Sequence, residues 1–202
     1  MQFSGSACIR AGWEIFKKRP WFLIGVMLLV AFIGWVIGAG TSLFGAQGAG
    51  AVAGGIINFL LNTVLGIGMT AFMLRAHDAV EHAAISDLWH PQSFVSYLVA
   101  TVLNGLAVVV GLILLIVPGI IISIMLVFTP YLVVDRNLGP IAALKESARV
   151  TRGHRWEILI LLALILLLNI LGAIALIVGL LVTIPVSSLA IVHAYRSLTR
   201  AA

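Results

Sequence analysis

The residues best equipped for chemistry in this 202-residue chain follow its first long apolar stretch: His77, Asp78, Glu81, His82 and His90. Read as a helix, the segment sets His77 beside Glu81 and Asp78 beside His82, each pair four residues apart. Imidazoles and carboxylates so placed are ligands that a divalent cation accepts. The spacing matches no strong metal motif, and the segment is juxtamembrane and wet, so no metal ligand is assigned. Asp135 and Glu157 end apolar runs, where pairing with Arg136 and Arg155 is the expected role. The sequence has no nucleophile–base pair, glycine-rich phosphate loop or metalloprotease motif. The lone Cys8 excludes an internal disulfide and a multi-cysteine metal site. No catalytic residue and no cofactor follows from these residues, and the reading is of a protein that is not an enzyme.

Two further sets carry physical meaning. Asn58, Asn62, Asn104 and Asn169 lie deep within apolar runs. An unpaired amide in hydrocarbon is costly, so each is expected to bridge helices or to line a polar path. No Asp, Glu, Lys or Arg lies as deep, which argues against proton-driven transport but not against a path for a neutral solute. The basic residues form the other set: Lys17, Lys18 and Arg19, then Lys145, Arg149, Arg152 and Arg155. Lys145, Arg149 and Arg152 recur on one helical stripe, opposite Ala143, Leu144, Ser147 and Ala148. Such stripes beside apolar spans fit anionic lipid headgroups, not nucleic acid.

The elements that must position these residues are membrane spans. Hydrophobic residues make up 62% of the chain and charged residues 9%, against about 45–50% and about 25% in soluble domains. The 12 Lys and Arg and the 7 Asp and Glu all avoid three stretches: Pro20 to Leu74, Leu88 to Val134, and Ile158 to Tyr195. Each is long enough for two spans of about 20 residues. The expected spans are about 21–38, 56–74, 94–116 and 119–134, with two more between Ile158 and Tyr195 broken between Gly172 and Gly179. The glycine-rich segment 38–55 and Pro118-Gly119 are the expected interruptions. Amphipathic helices are expected at 6–18, with Cys8, Gly12, Phe16 and Trp13 on the apolar face, and at 140–152, with Gly153 as terminator. Six spans put every basic residue on one side, the cytoplasmic side by the positive-inside rule. Gln47 then falls outside and Asn137 inside, and Trp21, Trp89, Trp156 and Tyr195 mark the inner boundary. The pattern of basic cluster, aromatic residue and span recurs at 9–22, 144–157 and, more weakly, 85–94, which suggests one helix-plus-hairpin unit used three times.

The stretch VPGIIISIMLVFTPYLVVDRNLGPIAALKESARVTRGHRWEI at 117–158 resembles a group of poorly characterised bacterial polytopic membrane proteins. The shared features are Pro-Gly-Ile, Asp135, Ala143, Lys145, Ser147, Gly153 and Trp156. The group is similar to the membrane domain attached to some glycerophosphoryl diester phosphodiesterases. The likeness extends more weakly over the chain, including TIPVSSLAIVHAYRSL at 183–198. It implies the fold and no activity, because phosphodiesterase chemistry belongs to a separate soluble barrel absent from these residues. Arg-Gly-His-Arg at 152–155 is not that enzyme's His-Arg-Gly.

The expectation is thus an all-α bundle of six spans in three hairpins, with short cytoplasmic interfacial helices. It forms one integral membrane domain over 1–202, in the bacterial inner membrane with both termini cytoplasmic. The expected function is non-enzymatic: a lipid-binding or membrane-organising module, or a subunit of a homo-oligomer or of a membrane-protein partner. The alternative is a small channel or transporter for a neutral or lipid-like solute, and an enzyme acting on lipid headgroups ranks third.

Overall fold

In lipid a backbone amide finds no partner except another backbone group or a neighbouring side chain, so a chain this apolar is driven to helix. The computed structural model describes residues 4–43, 48–89, 93–175 and 179–201, and among them no strand occurs. The helices are α1 (Gly5–Lys18), α2 (Pro20–Ser42), α3 (Gly48–Ala79), α4 (Phe94–Leu114), α5 (Ile116–Met125), α6 (Thr129–Arg136), α7 (Pro140–Val150), α8 (Arg155–Ile174) and α9 (Leu180–Ala201). A 3-10 turn, Ile85–Leu88, precedes α4. Six segments are long and apolar enough to cross a membrane: α2, α3, α4, α5 together with α6, α8 and α9. The protein is an all-α polytopic membrane bundle of three hairpins, with every described basic residue at one end, called here the charged end.

Span boundaries differ from the sequence expectation in three places. Residues 48–55, expected as loop, are the start of α3. Glycine weakens helices by backbone entropy and exposure to water, but hydrocarbon offers the freed amides no other partner. Pro118 lies within the first turn of α5, where its missing N–H has no intrahelical acceptor to lose. The reversal falls instead at Leu115, whose backbone is extended. The fourth span also breaks at residues 126–128, and α7 repairs the break. Ser147 Oγ accepts the Phe128 N–H at 3.2 Å and donates to the Met125 carbonyl at 2.8 Å. Part of the expected break between Gly172 and Gly179, like Gln47 and His90, lies outside the described residues.

Each hairpin is preceded by a short helical segment: α1, the 3-10 turn or α7. Each of these packs on the hairpin before it in a cyclic order. The 3-10 turn packs on α3, and α7 on α4 and α6. The first segment, α1, packs on α8 and α9 of the last hairpin, closing the ring. The second member of each hairpin is the more buried one, so α3, α6 and α9 are inner and α2, α4 and α8 peripheral. The core follows from this, with Phe72, Phe128, Leu132, Leu189 and Tyr195 all fully buried toward the charged end. Toward the opposite end the outer helices present Phe32, Trp35, Ile113 and Ile174 on the surface, as lipid contact requires.

Candidate functional site

The three inner helices end in ionisable residues, and the ring brings those ends together. Arg196 of α9 sits between Asp78 of α3 and Asp135 of α6. Its Nη2 donates to Asp78 Oδ2 at 2.6 Å, its Nε to Asp78 Oδ1 at 3.2 Å and its Nη1 to Asp135 Oδ2 at 2.8 Å. The buried Tyr195 hydroxyl donates to the same Asp135 oxygen at 2.7 Å, and its ring lies against those of Phe128 and Tyr131. Behind Asp78, His77 Nδ1 lies 3.1 Å from Asp78 Oδ1, and His77 Nε2 lies 3.1 Å from His193 Nδ1. A cavity of about 230 Å³ opens beside this network, lined by Arg75, Asp78, Asp87, Asp135 and Arg196 over an apolar wall.

These partners correct four sequence expectations. Asp135 pairs with Arg196 instead of Arg136, which turns to Glu146 at 3.5 Å. His77 faces His193 and Asp78 instead of Glu81. Tyr195, at the charged end, is buried within the bundle and not exposed as a belt residue would be. Glu157 forms no ion pair with Arg155 among the described residues, and its Oε2 is buried without a hydrogen-bond partner. For Asp135 the adjacent arginine loses to one sixty-one positions away, and His77 reaches His193 on another helix, because the ends of the inner helices converge. The sequence signal for the cluster was present in the ends of three apolar runs, where Asp78, Asp135 and Arg196 stand with opposite charges.

The expected lipid-facing residues divide into two groups. Lys18, Lys145, Arg152 and Arg155 are exposed and make no ion pair among the described residues. Lys17 is exposed and bonds Glu14 at 2.8 Å. Arg149 is likewise exposed, but Glu146 takes it in two hydrogen bonds of 2.7 and 2.8 Å. Those bonds from Arg149 hold the Glu146 carboxyl below its ordinary range and push the guanidinium upward. Arg19 is withdrawn from the surface role. Its guanidinium donates to the Val80 and Glu81 carbonyls at 3.3 and 3.1 Å and covers the Phe22 ring, serving the free carbonyls beyond the end of α3. The apolar faces of the two amphipathic helices also turn to protein instead of lipid. Ala143 of α7 is fully buried, as is Cys8 of α1, whereas Trp13 is exposed.

The asparagines act mainly between helices. Asn58 and Asn62 face Gly38 and Gly34 of α2. Asn58 donates to Thr41 Oγ1 at 3.0 Å, and Asn62 donates to Asn58 Oδ1 at 2.9 Å. Asn62 is nevertheless exposed at its edge. Asn169 joins α8 to α9 through Ser187 Oγ at 3.1 Å. Asn104 lies on the α4 face shared by the buried Ala100 and Gly111, without a hydrogen bond among the described residues. Among those residues no three His, Cys, Asp or Glu side chains are placed to hold a metal ion.

The fold and this cluster define a polytopic helical membrane protein with a tied, mixed-charge end. No protein-family model matches the chain, and no solved structure matches it.

Proposed function

We propose that this chain is a non-enzymatic integral membrane protein of the bacterial cytoplasmic membrane, with both termini cytoplasmic. In this reading it binds anionic lipid headgroups at its charged end and acts as a membrane-organising module or partner subunit. It would be a relative of the membrane domain found on some glycerophosphoryl diester phosphodiesterases. The observation that carries the reading is a set of four exposed cations, Lys18, Lys145, Arg152 and Arg155, without acidic partners among the described residues. They share the charged end with the exposed Trp21, Trp89 and Trp156, which are 85%, 72% and 75% accessible. Cations beside interfacial tryptophans are what a headgroup layer attracts. Each basic group near an anionic surface contributes about 1 kcal/mol, decaying over a Debye length of about 8–10 Å.

The test is a thermal-stability titration of the whole detergent-solubilised protein with short-chain anionic or neutral lipid. Anionic lipid is expected to raise the melting temperature at low salt, and the rise should shrink as salt increases. The combined change Lys145→Gln, Arg152→Gln and Arg155→Gln should remove most of the difference between lipids. Equal shifts with both lipids at every salt concentration would overturn the reading. One observation favours the alternative, a path for a neutral or lipid-like solute: half-buried Asn104 shares the α4 face of Ala100 and Gly111 and makes no hydrogen bond among the described residues. That path requires solute flux into vesicles that Asn104→Leu abolishes.

A further inference from the structure

The cavity at the charged end is more than an ion-pair by-product. It lies among four separate elements: α3 supplies Arg75 and Asp78, the 3-10 turn Asp87, α6 Asp135 and α9 Arg196. Three carboxylates therefore meet two guanidinium groups in a protein whose net charge is +5. Arg196 is held on both sides, because Asp78 and Asp135 take three of its N–H donors. Two groups are not so engaged. Asp135 receives both of its bonds on Oδ2, which leaves Oδ1 without a partner among the described residues. Arg75 is exposed, and its one described contact is a long 3.6 Å approach to Asp87. The cavity thus has a spare acceptor in its wall and spare donors on an exposed arm.

From this juxtaposition we propose that the cavity binds a phosphate ester of a primary amine, its ammonium group among Asp78, Asp87 and Asp135 and its phosphate on Arg75. The charge count selects the class. The three carboxylates outnumber the two guanidinium groups by one, which opposes an anion without an amine, and a bare cation would leave Arg75 with only its long approach to Asp87. A primary ammonium carries three N–H donors for carboxylate oxygens, whereas a quaternary ammonium carries none. A guanidinium is the side chain best shaped for phosphate. A volume of about 230 Å³ is below the range of drug-sized pockets, roughly 300–1,000 Å³, and suits a headgroup-sized ligand. The same chemistry is offered by the ethanolamine phosphate headgroup of a lipid and by free phosphoethanolamine. The proposal is independent of the anionic-lipid reading, since none of the four unpaired cations lines this cavity.

The experiment is calorimetric titration of the whole purified protein with phosphoethanolamine, phosphocholine and ethanolamine. Phosphoethanolamine is expected to bind at least about tenfold more tightly than phosphocholine, the value of one charge-assisted hydrogen bond. Arg75→Gln should weaken phosphoethanolamine about tenfold and leave ethanolamine unchanged. Asp135→Asn should weaken both. Because Asp135 also supports the Arg196 network, Arg75→Gln is the deciding variant, since its exposed side chain makes only the long approach to Asp87 among the described residues. A parallel titration with short-chain ethanolamine- and choline-headgroup lipids separates the sources. Selectivity in the lipid arm alone assigns a membrane headgroup, and selectivity in the soluble arm alone assigns the free ester. Equal binding of ethanolamine and choline forms in both arms, absence of binding in both, or indifference to Arg75→Gln would overturn the proposal.

Discussion

Arg196 shows how one residue ties three helices together. Its guanidinium neutralises two carboxylates on different spans, so removing it leaves both without their main cation. For a fully buried pair that loss costs about 3–5 kcal/mol. Asp78 is 39% exposed, so solvent screening lowers the expected cost of Arg196→Met to about 2 kcal/mol. The melting temperature in detergent should fall, and adding Asp135→Asn should recover part of the loss. A melting temperature unmoved by Arg196→Met would show that the ends are held by packing alone. Cys8 gives a second reading at this scale. Burial pushes its thiol up to about 11 from an ordinary 9.0. The folded protein holds this proton more tightly than the unfolded chain, so the contribution is complete below about pH 9 and lost as pH rises toward about 11. At neutral pH the folded protein should resist iodoacetamide and react once denatured, and rapid alkylation of the folded protein would count against the buried placement. Individual roles were the least legible part of the sequence. Asp135 has an arginine next door and bonds one sixty-one positions away, a choice that depends on which helices converge.

At the scale of elements, the apolar faces of α1 and α7 were legible from periodicity, but what they touch was not. The hydrophobic pattern of an interfacial helix is the same whether it lies on acyl chains or on protein. For α1 the deciding residue is Gly12, where an added Cβ would stand 2.6 Å from the Val186 carbonyl oxygen and 3.0 Å from the Ala190 nitrogen. Gly12→Ala should therefore push α1 off α9 and destabilise the protein by about 1–3 kcal/mol, the usual cost of overpacking. Gly25→Ala, at a peripheral site with nothing within 4 Å, is the control and should be neutral. If the two variants melt together, α1 is not docked as described. For α7 the deciding residue is Ser147. Ser147→Ala strands the Phe128 N–H at the break in the fourth span and leaves the Met125 carbonyl only the long 3.4 Å bond from Thr151 Oγ1, at a cost of about 1–3 kcal/mol. Accelerated amide exchange at Phe128 is the expected signature, and unchanged exchange would mean that the break is satisfied some other way. The break had one sequence signal, Pro130 in the first turn of α6, which has no N–H to carry the ladder back to Leu126; the hydroxyl that completes the bonding comes from another helix and had none.

At the scale of the whole molecule, the distribution of charge was the most legible feature, since it depends on composition and needs no contact to be known. Three charge-free stretches of double length dictated three hairpins, and the recurrence of a basic segment before each foreshadowed the short helix that precedes every hairpin. What the recurrence did not reveal is the cyclic order, in which each short helix leans on the hairpin before it and α1 closes the ring against α8 and α9. That closure explains why all described ionisable residues gather at one end: the inner helices α3, α6 and α9 terminate there together. It also makes sidedness testable with two positions. Leu43 follows α2 at the uncharged end and is 87% exposed. Asn137 follows α6 at the charged end, exposed and in a left-handed conformation with φ 49°. Cysteine placed at each, in a Cys8→Ala background, should react with a membrane-impermeant thiol reagent from opposite faces of sealed vesicles. With the twelve basic residues directing the charged end inward, Leu43→Cys should be labelled from outside intact cells and Asn137→Cys only after the membrane is opened. Labelling of both from one face would break the three-hairpin arrangement, whereas reversed labelling would keep the fold and overturn the cytoplasmic assignment of the charged end.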